Sequence, residues 1–462
     1  MKQILVITAL LCTQATNADW FEDVKKSGDD EALYRVLYYM PKGGDLHNHL
    51  SGSNFSEWMF DLALEQRERG YEYYTKVRIE NCIEYGSNAF GRSPYYLMFR
   101  NIAAIDYEQL DDCQKREYKL LQELNDAEKA GWMDSVRLDK PYEGRDEFFG
   151  THWPRMNALG WNPWFQAEML YLNMRAFGDE GLTYLETQVS VHGMRQADGT
   201  PIPAEEAVQI LRDRLAADDA QATGVTVRFQ ISILRFLPNA EDFLRDIYKF
   251  VYDHNDLFVA VNMVGREDND KGYPLRFLDT YRDLRRQYSG VKLSIHAGEV
   301  DEPNDHVRDT LLLGADRIGH GNNLITDDDT MRLMRHGPYL IEINLISNLL
   351  LNYVSDYSEH PFPEFLRTGI PVALSTDDRG MWDSTMTDEF FVAVKEFNLS
   401  WEEIRMLSQN SLQYAFVQDD EKSRLLRNFA ERMQKFEASM QKYGVERLGD
   451  MPATRQCVCD RY

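Results

Sequence analysis

The sequence predicts an α/β chain wound as a (β/α)8 TIM-type barrel, with an inserted helical segment after the first strand and extra C-terminal helices. Three observations carry this. Short apolar, β-branched runs alternate with amphipathic helical stretches over most of the chain, and strands separated by helices pair in parallel. Such runs number about eight, the count that closes a barrel. The polar residues best suited to chemistry stand at the C-terminal ends of these runs, where this fold carries its active sites. A doubly wound open sheet is the structural rival, but no Gly-x-Gly-x-x-Gly follows a strand here.

Residues 1–18 read as a signal peptide. Lys2 supplies the positive start, Ile4 to Cys12 the short apolar run, and Thr16-Asn17-Ala18 the cleavage site, with Thr13-Gln14-Ala15 as its rival. The run is too short to span a bilayer. Leu11 is bulky for the residue before a lipoprotein cysteine, so Cys12 is not read as a lipid anchor. A secreted, soluble mature protein is expected, in periplasm or medium.

Residues 19–40 form a polar helical arm, 41–445 the barrel domain and 446–462 a tail. The first strand is expected at 43–50, followed by a helix from Phe55 to Arg67 with apolar residues at helical spacing. Residues 68 to about 150 are rich in Tyr, Glu and Arg and read as an elaboration of the first βα connection, with a helix near 114–130. Another helix covers 162–178. Strands then follow at 182–190, 225–235, 257–265, 291–297, 316–320, 339–347 and 370–376. Helices near 203–217, 239–253, 276–288, 303–313, 327–336 and 361–368 fall between them. The stretch from about 386 to 442 reads as several helices packed outside the barrel.

The chain of 462 residues is 43% hydrophobic and 12% aromatic, enough for a large core. A net charge of -25 argues against nucleic acid and anionic membranes as partners, since both are polyanions. Removing the signal leaves Cys82, Cys113, Cys457 and Cys459, which in an oxidising compartment allow three disulfide connectivities. Cys82–Cys113 is preferred because both lie in the insertion, and Cys457-Val458-Cys459 is a local pair or a clamp on the tail.

The chemistry starts at Gly44-Asp45-Leu46-His47-Asn48-His49-Leu50. Side chains at i and i+2 of a strand share a face, so His47 and His49 project together as half of a metal site. His296 closes the fifth strand in a segment that continues to Glu299, His320 closes the sixth, and Asp377 and Asp378 follow the eighth. Each has a bland alternative: Asp378 as a helix cap, Glu299 as a charge at a helix N-terminus, His320 as a core histidine. Coincidence on four strand ends is the poorer explanation. His152, His192, His254, His306, His336 and His360 lack such a context and are given no chemistry, with His152-Trp153 kept as a candidate substrate lid.

The segments PKGGDLHNHL, SIHAGE, RIGHG and LSTDD resemble those of the adenosine deaminase family. The export signal, MPKGG, VGRED at 264–268 and ISN…VSDYSEHP are similar to its secreted, growth-factor-related branch. The resemblance covers roughly residues 38–440, with 68–150 poorly matched. It implies one zinc per chain, held by His47, His49, His296 and Asp377. It also implies that Glu299 protonates purine N1, that His320 orients the attacking hydroxide, and that Asp378 contacts the water and N7. The backbone of Gly265 would meet N3, with His49 beside the substrate. The implied reaction converts adenosine, and 2′-deoxyadenosine, to inosine and ammonia. Ser51 stands where the intracellular members carry the Asp that serves the ribose.

The alternative is another mononuclear metal amidohydrolase, acting on a different 6-aminopurine or a cyclic amide. The fourth strand, 257–265, contains no Lys for the modified lysine that bridges two metals in many such enzymes. An interaction protein with a spent site is a third reading, opposed by the intact ligand set. The arm and insertion offer surfaces for a homodimer.

Overall fold

Eight parallel strands follow one another around a sheet in the order of the chain. In the computed structural model, which describes residues 19–82 and 97–449, the strands are β1 (Gly43–Asp45), β2 (Tyr73–Lys76), β3 (Asn101–Ala103), β4 (Tyr118–Leu120), β5 (Leu182–Gln188), β6 (Thr226–Leu234), β7 (Phe258–Val264), β8 (Lys292–Ala297), β9 (Arg317–His320), β10 (Leu340–Ile343) and β11 (Val372–Leu374). The large sheet runs β1-β5-β6-β7-β8-β9-β10-β11, all parallel. Every strand expected for the barrel is present. Burial on both faces explains why these strands read as apolar runs rather than alternating ones: β5 and β10 are buried at every residue.

The seam between β11 and β1 is closed just beyond the strand ends. The Asp377 N–H donates to the His47 carbonyl (2.9 Å), and the His49 N–H donates to the Asp377 carbonyl (3.2 Å). The barrel therefore closes at the residues singled out for metal binding.

The insertion differs from expectation. It contains a small antiparallel sheet, β3-β2-β4, and the helix expected at 114–130 is broken into Asp112–Lys115, β4 and Asp126–Asp134. Two capping boxes, Asp111 with Gln114 and Asn125 with Glu128, start two separate helices. Between them Glu117 is pulled inward to the buried Lys76 ammonium, at 2.7 Å. Cys82 and Cys113 are bridged, Cα to Cα 5.6 Å. Cys457 and Cys459, and the expected signal peptide, lie outside the described residues.

The C-terminal helices seal the lower end of the barrel. Helix Trp401–Gln413 receives the Gly44 N–H on Ser411 Oγ (2.8 Å), and Asn410 Nδ2 donates to the Val372 carbonyl (2.9 Å). The arm helices Asp19–Ser27 and Asp30–Tyr39 lie on this layer, with Phe21, Val36 and Leu37 fully buried. Its apolar face is thus consumed within the chain. Among the described residues no helix is long and apolar enough to cross a membrane.

Candidate metal centre and active site

Regular pairing in β1 stops at Asp45, short of the residue 50 expected. Asp45 turns its carboxylate back on the chain, accepting from the His47 N–H (3.1 Å) and from the N–H and hydroxyl of Thr376 (3.2 and 2.6 Å). His47 and His49 stand past the strand end, on the seam. His296 comes from the end of β8, His320 from the end of β9, and Asp377 and Asp378 from the turn after β11. All six sequence-predicted polar positions on the strand ends, together with Glu299, reach one region.

One ligand atom from each of His47, His49, His296 and Asp377 lies within 4.8 Å of the others. Hydrogen bonds with Glu342, Asn262 and Ser347 occupy one atom each of His47, His296 and Asp377 and leave the other free. His47 Nδ1 is held by Glu342 at 2.8 Å, and its Nε2 is buried without a hydrogen-bond partner, 3.5 Å from Asp377 Oδ1. His296 Nδ1 meets Asn262 Oδ1 at 2.9 Å. Asp377 Oδ2 accepts from the Ser347 hydroxyl at 2.7 Å, which leaves Oδ1 facing His49 Nε2 at 3.1 Å. An orphaned imidazole nitrogen among two further imidazoles and a carboxylate is a donor set that fits zinc.

The electrostatics agree. Burial opposes a charge on His47, yet Asp377 and Glu342 overcome it and push the ring up to about 10, so these carboxylates call for a cation between them. Burial, then His47 and His320, hold His296 well below the usual histidine range, in the neutral form a ligand needs. Glu342→Gln keeps the shape but removes the charge behind His47. It is expected to weaken metal binding about 10–100-fold, read by competition with a chromogenic chelator.

Local backbone is strained here. Asp377 has φ +54° and His320 φ +64°, left-handed values that cost about 1–3 kcal/mol each and persist only where packing enforces them. Gly319 permits the approach of β9 to the centre: a Cβ there would lie 2.7 Å from His47 Cε1. Gly265 has φ +99°, and a Cβ on it would meet the Phe236 ring at 2.8 Å, so its backbone lines the cavity bare.

Glu299 is buried beside the centre. Burial, then Asp377 and Glu267, hold its carboxyl well above the usual range. Its main chain is gripped by Glu267, whose carboxylate accepts from the N–H groups of Gly298 (3.1 Å) and Glu299 (3.2 Å) and meets His306 Nδ1 at 2.7 Å. Arg235, 3.6 Å from the same carboxylate, outweighs the burial that opposes its charge and, with His306, holds Glu267 at about 2. Neither Glu267 nor His306 was identified from sequence; VGRED marked the first only as part of a motif. Asp378 is also buried, and burial followed by Asp377 raises its pKa well above the ordinary value. Its Oδ1 lacks a partner. His320 is buried and pushed down to about 3, chiefly by burial, so it is neutral. Its Nε2 lies 3.7 Å from Glu299 Oε1.

A cavity of about 690 Å³ runs from Glu299 and Asp377 outward past Gly265, Ser51 and Gln188. The insertion roofs it. The π-helical turn Phe148–His152 places Phe149 and Trp153 on the wall, and the Trp153 ring stands 6.2 Å from that of His49. His152 itself faces away: its ring nitrogens meet the carbonyls of Glu147 and Arg137, each at 2.9 Å. It fastens the roof, and Trp153 alone of that pair lines the cavity.

Comparison with known proteins agrees with this geometry. The family model described as adenosine deaminase matches residues 167–432. The adenosine deaminase of Enterococcus faecalis is 34% identical over 39% of this chain, and the match spans about half, 53%, of that relative. The adenosine deaminase of Lutzomyia longipalpis is 23% identical over 90% of this chain and 81% of its own length. Among solved structures, a zinc-bound amidohydrolase from Burkholderia ambifaria shares the fold, with a TM-score of 0.64, 18% identity and coverage of 89% of this chain and 95% of that one. The family match takes in more than half of the 462 residues, and the chain belongs to the adenosine deaminase family.

Proposed function

We propose that this chain deaminates adenosine, and 2′-deoxyadenosine, hydrolytically at a single zinc held by His47, His49, His296 and Asp377. The observation that carries the reading is a buried acid, Glu299, whose pKa burial and then Asp377 raise, beside an orphaned metal-ligand cluster at the foot of one cavity. Zinc, when bound, supplies a Lewis acid that brings the pKa of a water to about 7. The remaining work falls to side chains. Glu299 delivers its proton to purine N1, which draws electron density from C6 and opens it to the water oxygen. His320 stands beside Glu299 to orient that oxygen, and Asp378 contacts the water and N7. The water's first proton returns to the ionised Glu299 as the oxygen bonds to C6; as the C6–N6 bond breaks, N6 takes the second and leaves as ammonia, and C6 becomes the inosine carbonyl. Gly265 presents its bare backbone to the N3 edge.

Arg266 at the cavity mouth is already paired with Asp268 (2.6 Å) and with Asp146. This supports an uncharged nucleoside over a nucleotide. The ribose meets Ser51 rather than a carboxylate. Export is part of the proposal, supported by the N-terminal sequence and by the Cys82–Cys113 bridge; mass spectrometry of the mature N-terminus, expected at Asp19, tests it. A homodimer would have to use surfaces other than the arm's buried face.

The test follows the ultraviolet change from adenosine to inosine on purified protein of known zinc content, with 2′-deoxyadenosine, AMP and adenine in parallel. Turnover of the two nucleosides is expected, with AMP and adenine far slower. A zinc-loaded sample that turns over none of the four overturns the reading in favour of an amidohydrolase acting on cyclic amides.

A further inference from the structure

Behind His320 runs a line of hydrogen bonds whose direction is set by a backbone group. The Phe362 N–H donates to His360 Nδ1 at 3.0 Å. A nitrogen that accepts from an N–H carries no proton, so the proton of the neutral ring sits on Nε2. His360 Nε2 faces Asn348 Oδ1 at 3.0 Å and donates to it. That fixes which end of the Asn348 amide is oxygen. The other end, Nδ2, lies 2.9 Å from His320 Nδ1 and donates to it. His320 Nδ1 is therefore an acceptor, and its ring proton sits on Nε2, the nitrogen that faces Glu299. The opposite arrangement would set the His360 Nδ1 proton against the Phe362 N–H, donor against donor. His320, Asn348 and His360 are all buried, so water does not compete for these bonds.

We propose that Asn348 and His360 are positioning residues that lock His320 as the Nε2–H tautomer, making it a hydrogen-bond donor to the attacking oxygen rather than a base. The substrate side of this statement rests on the deaminase reading; the tautomer rests on geometry alone. A donor aimed where charge develops stabilises the transition state more than the ground state. A neutral imidazole already protonated on Nε2 cannot take the water's proton. That proton goes to a carboxylate: Glu299, ionised once its own proton is on N1, lies 3.7 Å from His320 Nε2. Asn348 belongs to the ISN motif and His360 to the VSDYSEHP segment, so the two fragments have a joint role that neither displays alone.

Two measurements test this on the zinc-loaded full chain. Long-range proton–nitrogen correlation spectra of 15N-histidine-labelled protein report the tautomer of His320, whose signals are identified by their loss in His320→Asn. The expected pattern is an unprotonated Nδ1 and a protonated Nε2; the reverse pattern overturns the proposal, whatever the activity. Kinetics supply the second readout. His360→Phe removes the donor and frees the Asn348 amide to turn, and kcat should fall about 10–100-fold, less than complete loss of such a donor. KM should stay within about twofold, since the relay acts on the transition state, with zinc content unchanged. His360→Gln, which can accept from Phe362 and donate to Asn348, should recover most of the rate. An unchanged kcat in well-folded His360→Phe also overturns the proposal. If that variant does not fold, the wild-type spectrum still decides. If the wild type turns over no nucleoside, the functional reading fails while the spectrum still judges the relay.

Discussion

Glu299→Gln lowers kcat for adenosine by about 10²–10⁴-fold while the protein keeps its full zinc content. The two halves of this expectation have separate causes. Glutamine has the volume of glutamic acid and can hydrogen-bond to N1, but it has no proton to transfer, so N1 stays basic and C6 stays poorly electrophilic. Zinc is retained because Glu299 is outside the four-ligand cluster, and its main chain is held by Glu267 regardless of side chain. The wild-type carboxyl is raised first by burial, then by Asp377 and Glu267. A cation on Asp377 offsets the second cause and leaves the first. A raised pKa keeps the acid form at pH values where an ordinary Glu, near 4.3, is ionised. Activity should therefore persist through neutral pH and fall on the alkaline side as Glu299 deprotonates. Residual turnover in the variant should lack that alkaline limb. Metal analysis and a pH–rate profile on one preparation check both halves, and loss of zinc in the variant would show that Glu299 supports the metal instead.

The strand ends were legible because this fold ties chemistry to them. His47, His49, His296, His320, Asp377 and Asp378 each follow an apolar run, and parallel winding brings the ends of distant runs onto one rim. The histidine pair was read as sharing a strand face. It instead stands past the strand, on the seam, because Asp45 bends the chain through a contact with Thr376, over 300 residues away, which no local pattern reveals. Glu342 was hidden in the middle of an apolar run, where only the barrel interior explains a carboxylate. His306 and His360 looked bland for a related reason: each acts through a partner, Glu267 or Asn348, brought close by tertiary packing. The insertion was the least legible. Its helical periodicity at 114–130 was real in composition but overridden by two capping boxes and a buried ion pair.

The interior below the metal centre is charged, and disturbing it is expected to cost much stability. Arg317 is fully buried on the barrel axis. It donates to Glu342 Oε1 (2.6 Å), Glu186 Oε2 (2.5 Å) and the Tyr414 carbonyl (3.0 Å), and its guanidinium lies 3.7 Å from the Phe416 ring centroid. Glu186 also accepts from the Phe416 N–H at 2.7 Å. One cation thus joins the ligand His47, through Glu342, to the C-terminal helices that seal the barrel. Arg317→Met fills much of the volume but leaves two carboxylates buried without their countercharge. Breaking a buried pair from one side costs about 3–5 kcal/mol, and urea unfolding at fixed zinc should register it. The pH dependence identifies the cause. In the wild type, burial works against the Glu342 anion, but Arg317 and His47 outweigh it and depress its pKa. A depressed carboxylate contributes stability that is present above its unfolded value, about 4.3, and lost as pH falls through the folded value. In the variant the orphaned Glu342 carboxylate takes up a proton at higher pH, which relieves its penalty. The gap between the two proteins should be widest near neutrality and narrow steadily toward acid. A gap independent of pH would assign the loss to packing against Phe416. Adding Glu342→Gln to Arg317→Met should restore part of the stability while still weakening the hold on His47, separating the two duties of that carboxylate.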